Sequence, residues 1–278
     1  MKLRLDTHQH FWKYDPVKYA WIDESMSVIQ RDFLPDDLAP ILEDNGIQGC
    51  IAVQADQSEQ ETEFLLDLAS RHDFIKGVVG WMDLRAHNVD ERLAHFAGHQ
   101  KLKGIRHIVQ GEEDVNFLLR DDFCRGIKQL ASYSLTYDIL VFPHQLGAAL
   151  EFVRRFPEQP FVIDHIAKPY IKDGFIDGWA VLMKELARFP NVYCKISGMI
   201  TEADWTKWQY EDFKPYLDVV FSSFGIEKVM FGSDWPVCLV AGSYKKMMGL
   251  VQQYVDSFSS EEKAAFWGEN GSRFYNIQ

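Results

Sequence analysis

The sequence predicts a single (β/α)8 barrel of parallel strands, on three observations. Eight short apolar segments alternate with amphipathic ones along the 278 residues. The apolar segments are continuous runs, the mark of strands buried on both faces and paired in parallel. Strict alternation then puts the helices outside a parallel sheet, and eight such units in about this length close into a barrel. The rival, an open doubly wound sheet, normally carries a glycine-rich turn after its first strand. Here that position holds His8-Gln9-His10. No linker, repeat or low-complexity stretch breaks the pattern, so residues 1–278 read as one domain.

The first strand, Leu3 to His10, sets His8 and His10 side by side, because residues i and i+2 of a strand share a face. Asp6 lies behind them. An aromatic stretch with Trp12, Tyr14 and Trp21 follows as a long loop around Pro16, and long loops in compact domains are often functional. Asp36 to Gly46 has acids at its start and a glycine stop, which reads as a helix. Thereafter strands are expected at Gln48 to Ala55, Ile75 to Met82, Leu102 to Val109, Leu135 to Phe142, Phe161 to Ile166, Val192 to Ile196 and Lys228 to Gly232. Helices are expected between them, at Ser58 to His72, Val89 to His99, Phe117 to Tyr133, Leu146 to Phe156, Trp179 to Phe189 and Asp212 to Phe224. Pro157, Pro190 and Gly225 supply stops. A long helix from Tyr244 to Phe258 and a shorter one from Ser260 to Trp267 end the chain.

Composition narrows the function. Lys and Arg total 29 against 41 Asp and Glu, a net charge of −12. That argues against nucleic acid and anionic membrane as partners, since both need a basic footprint. A small substrate is left, and homo-oligomerisation is left open. Cys50, Cys124, Cys194 and Cys238 are widely spaced and form no Cys-x-x-Cys pair, so they read as buried free thiols in a reducing compartment. With no signal-peptide pattern and no apolar run of membrane-spanning length, a cytoplasmic protein is expected.

In barrels of this kind the chemistry sits at the C-terminal ends of the strands. Those ends carry His8 and His10, then Trp81 and Asp83, Arg106 and His107, His144, Asp164 and His165, Lys195 and Ser197, and finally Asp234 with Trp235. Arg106 and His107 are adjacent on a strand, so only one of them faces the barrel. Taken singly, each of these residues has a structural explanation. A ring of His, Asp, Arg and Lys around one mouth does not, because buried polar groups are costly unless paired or used. Two imidazoles on one strand end are half of a metal site.

These residues and their order resemble the amidohydrolase superfamily: His-x-His on the first strand, a His on the fifth, a His on the sixth and an Asp after the eighth. The segments Asp6-Thr7-His8-Gln9-His10-Phe11-Trp12, Gly104-Ile105-Arg106-His107, Asp164-His165-Ile166-Ala167-Lys168-Pro169, Lys195-Ile196-Ser197-Gly198 and Gly232-Ser233-Asp234-Trp235-Pro236 are similar to its lactonase branch. That branch acts on L-fuconolactone and L-rhamnonolactone types of sugar acid, and on pyrone-dicarboxylate and muconolactone types. The resemblance implies ring-opening hydrolysis of a small lactone with Asp234 as general base. For the cofactor it leaves two alternatives: one zinc-like divalent ion on His8, His10 and Asp234, with His144 or His165 as a further ligand, or a metal-free site. No carboxylate or modified lysine stands at the fourth strand end, which argues against two metals. Without a metal, His165, Arg106 or His107, and Lys195 are the candidate cationic donors, while Trp12, Tyr14, Trp21, Trp81 and Trp235 could wall the substrate, with His144 nearby. A zinc-dependent decarboxylase of a carboxylated aromatic or semialdehyde, from the same superfamily, is the alternative.

Overall fold

The computed structural model describes residues 2–277. Eight parallel strands pair in chain order: β1 (Leu5–Gln9), β2 (Gly49–Val53), β3 (Ile75–Gly80), β4 (Leu102–His107), β5 (Thr136–Ile139), β6 (Phe161–Ile163), β7 (Val192–Ile196) and β8 (Val229–Phe231). A bridge between Gln9 and Trp235 brings the two ends of the sheet together, supported by bonds from His10 N to Trp235 O and from Asp234 N to His8 O. Helices α1 (Pro35–Asp44), α2 (Glu59–Arg71), α3 (Val89–Ala97), α4 (Asp121–Leu130), α5 (Leu146–Arg155), α6 (Asp177–Ala187), α7 (Tyr210–Phe224) and α8 (Tyr244–Val255) follow the strands in turn. This is the expected (β/α)8 barrel. No helix among the described residues is long and apolar enough to cross a membrane.

Several boundaries differ from the sequence expectation, for local reasons. The segment Phe117 to Tyr133 is not one helix: Arg120 is extended, which separates a short 3-10 turn from α4. Strand β6 stops at Ile163, where the chain turns left-handed. Beyond Trp267 the chain does not end its helical path. A further turn, Asn270–Phe274, carries Phe274 and Tyr275 under the barrel.

The interior is layered. Leu5, Ile51, Val53, Val79, Val162 and Met230 fill the lower barrel, with Phe274 and Tyr275 against them. Above them lies a layer of charge: Asp138, Lys195, Asp164, Arg106 and His8, each at most 3% exposed. The alternation along β7 explains the arrangement, since Cys194 and Ile196 pack toward the helices and send Lys195 inward. Along β5, Tyr137 and Ile139 do the same for Asp138. All four cysteines are buried free thiols.

Candidate active site

The upper mouth of the barrel holds a cavity of about 260 Å³, a size suited to a small ligand by comparison with the roughly 300–1,000 Å³ of typical sites. His10, Arg106, His165, Lys168 and Asp234 line it, with Trp21, Ala55, Ile108, Leu140 and Val237 as apolar walls. Asp234 stands at the centre of a cluster of imidazoles. Its Oδ1 is 3.3 Å from His10 Nε2 and 3.9 Å from both His8 Nε2 and His165 Nε2.

Each imidazole is held by its own set of partners. His10 Nδ1 lies 2.8 Å from the Val53 carbonyl, an acceptor, so Nδ1 carries a proton, and Nε2 faces the Asp234 carboxylate at 3.3 Å. At that distance a proton or a cation belongs between the two atoms. His8 Nδ1 lies 3.2 Å from both Asp164 Oδ1 and Lys195 Nζ, and Arg106 Nη1 approaches its Nε2 to 3.2 Å. His165 Nδ1 takes the Ser197 hydroxyl at 2.9 Å, which leaves Nε2–H as a donor near Asp234.

His8, His10 and Asp234 fit one divalent cation: three buried ligand atoms lie close together, with Arg106 Nη1 releasing His8 Nε2 to the ion. The other such group, His8 with Asp164 and His165, fits poorly. Asp164 is already matched by Arg106 at 3.0 Å and Lys195 at 3.0 Å. Those cations hold its carboxyl well below the usual range although burial opposes them. Burial is the main cause that pushes His8 well below its ordinary pKa. Burial does the same to His165, against the pull of Asp234. For Asp234, burial raises the pKa but His165 and His10 outweigh it, and the net shift is downward. The site thus holds an ionised carboxylate beside two imidazoles, His8 and His165, that burial keeps neutral.

Not every residue marked in the sequence reaches the cavity. His107 points the other way: it stacks on Phe117 at 4.6 Å and bonds Glu112 at 2.6 Å, because its neighbour Arg106 takes the inward position. Lys195 is wholly buried beneath His8, in ion pairs with Asp138 at 2.5 Å and Asp164, and does not line the cavity. His144 sits on a 3-10 turn stacked on Phe142. Strand β5 ends early, and Leu140 takes the cavity position. Of the aromatics only Trp21 lines the cavity. Trp12 and Trp235 are buried against Phe33, Trp81 donates to His107 Nδ1, and Tyr14 lies on the loop, half-buried.

Two further residues hold the site in place: Gln54, which the sequence reading did not mark, and Asp6, which it placed behind the first-strand histidines. Gln54 accepts from Arg106 with its carbonyl, and its side-chain Nε2 donates to the Arg106 carbonyl. Asp6 anchors the backbone of His8 and Ser233, at 3.1 and 2.9 Å, and takes the Tyr244 hydroxyl. Burial pushes the Asp6 pKa up to about 6.

The backbone is strained where the chemistry sits. His165, Ile166, Ala167 and Lys168 all have φ between 47° and 58°, and Asp234 has φ 58°. For L-residues the left-handed region costs roughly 1–2 kcal/mol each, and such strain persists where a site requires it. Gly198 makes the turn possible: a Cβ there would lie 2.4 Å from His165 Nδ1. Gly198→Ala is expected to swing the His165 ring off Ser197 and cut kcat by about 10²-fold, the scale of a misplacement near 1 Å. Steady-state kinetics check this; unchanged kcat would show that the ring position does not matter.

An amidohydrolase family model matches residues 5–277 of the chain. An L-fucono-1,5-lactonase of Burkholderia multivorans is 42% identical, over 99% of this chain and 96% of its own length. An L-fucono-1,5-lactonase of Burkholderia ambifaria is 37% identical, over 100% of this chain and 97% of its own. Among solved structures, an amidohydrolase of Burkholderia multivorans with bound zinc superposes with a TM-score of 0.96 at 42% identity, covering 99% of this chain and 100% of that one.

Proposed function

From the premise that the chain belongs to the amidohydrolase family, we propose that it hydrolyses the ring ester of a sugar-acid lactone, of the L-fucono-1,5-lactone type. One observation carries the reading: an ionised carboxylate, Asp234, set within 3.9 Å of the neutral imidazoles of His8 and His165 in a small cavity. Lactone hydrolysis needs a base for water, a donor for the oxyanion and a proton for the leaving oxygen.

Asp234 takes a proton from water as the water oxygen attacks the lactone carbonyl. His165 donates its Nε2–H to the developing oxyanion, and Arg106 holds positive charge beside it. The tetrahedral intermediate then collapses, the ring C–O bond breaks, and the Asp234 carboxyl returns its proton to the departing oxygen. One water is consumed and a hydroxy acid results. His8, His10 and Asp234 would hold a divalent ion; such an ion, when bound, lowers the pKa of water and polarises the carbonyl.

The site favours a neutral lactone over a carboxylated substrate. Arg106 is paired with Asp164, and Lys168 with Glu202. Among the described cavity residues no cation is left unpaired to meet a carboxylate, as the decarboxylase and dicarboxylate alternatives require.

Proton release onto a pH indicator, with a panel of aldonolactones, tests the reading. Rapid release with a six-membered L-fucono lactone is expected; carbon dioxide from an aromatic acid with no lactone opening would support the decarboxylase instead. The pH profile is a second test. A neutral His165 and an ionised Asp234 mean that kcat/KM keeps its plateau through pH 6.5, the ordinary histidine value, and falls only at lower pH. An acid limb centred at or above that value would assign the base to a histidine.

A further inference from the structure

We propose that Lys168, steered by Glu202, is a specificity-determining residue that binds ring hydroxyls of the lactone; this rests on the lactonase reading above. Lys168 is the last of the four left-handed residues that begin with His165, so one turn delivers both side chains to the same cavity. Its ammonium carries three N–H donors. Glu202 Oε1 takes one at 2.5 Å, and the side chain is only 15% exposed.

The other cation of the cavity is held differently. The terminal nitrogens of Arg106 are fastened to Asp164, Gln54 and His8, and its Nε, which has no partner, is buried out of reach of the cavity. Lys168 is thus the cavity cation with reachable donors to spare among the described residues. Gln110 lines the same cavity. Free donors among apolar walls suit a polyhydroxylated ring, whose hydroxyls accept hydrogen bonds. Because Glu202 neutralises Lys168, the pair suits hydroxyls and not a free carboxylate.

The test compares L-fucono-1,5-lactone with δ-valerolactone, a six-membered lactone that has no hydroxyls, at enzyme concentrations high enough to follow slow turnover. Lys168→Met is expected to lower kcat/KM for the sugar lactone about 10- to 100-fold, mostly through KM, as for the loss of a charged hydrogen bond. δ-Valerolactone should be opened at the wild-type rate. Lys168→Arg should recover part of the loss, and Glu202→Gln should fall between. Equal losses on both lactones, with a lowered unfolding midpoint, would mean a structural role and overturn the proposal. No loss on either would overturn it too. Wild-type protein that opens neither lactone would overturn the lactonase reading, and this assignment with it.

Discussion

Asp234→Asn is expected to lower kcat by about 10³-fold while the protein stays folded. Loss of a general base costs about 10²–10⁴-fold, and Asn cannot accept the water proton. Folding should not suffer, because Asp234 has φ 58°, a conformation that Asn adopts readily. The unfolding midpoint is therefore expected to hold as activity disappears. Near-normal turnover in this variant would remove Asp234 from the mechanism.

Lys195→Met is expected to cost about 3–5 kcal/mol of stability, the scale for breaking a buried ion pair from one side. Lys195 is completely buried and is the shared partner of Asp138 and Asp164. Asp138 also takes the Tyr275 hydroxyl, at 2.8 Å, so the damage reaches the C-terminal turn beneath the barrel. Urea unfolding measures it. The exposed pair of Lys214 and Asp218 provides the control, because both side chains are about half exposed. Lys214→Met should leave the urea midpoint nearly unchanged. Similar small losses in the two variants would mean that water reaches the buried network.

The barrel was legible because its strands are unbroken apolar runs and its helices end at Gly or Pro. The histidines of the mouth were legible because strand ends in this fold carry chemistry, and His8, His10, His165 and Asp234 do converge. What the sequence left open was direction. Whether Arg106 or His107 faces inward depends on a strand register fixed by pairing to β5. The inward charge of Asp138 had a signal, a lone carboxylate between Tyr137 and Ile139 in an apolar strand. Lys168 stood in a segment that resembles the lactonase branch, but its reach into the cavity did not show, because it depends on four consecutive left-handed residues that no local propensity announces. The aromatics misled for a related reason: Trp12 and Trp235 adjoin site residues in sequence, but they pack on Phe33 behind the site.

The central claim is that water attacks the carbonyl carbon of a sugar-acid lactone at Asp234. Turnover of L-fucono-1,5-lactone in ¹⁸O-labelled water, with mass analysis of the product, tests it most directly. The account predicts one labelled oxygen per molecule, in the carboxylate, with the released hydroxyl unlabelled. Label in the hydroxyl, or a product that has lost carbon dioxide, would contradict it.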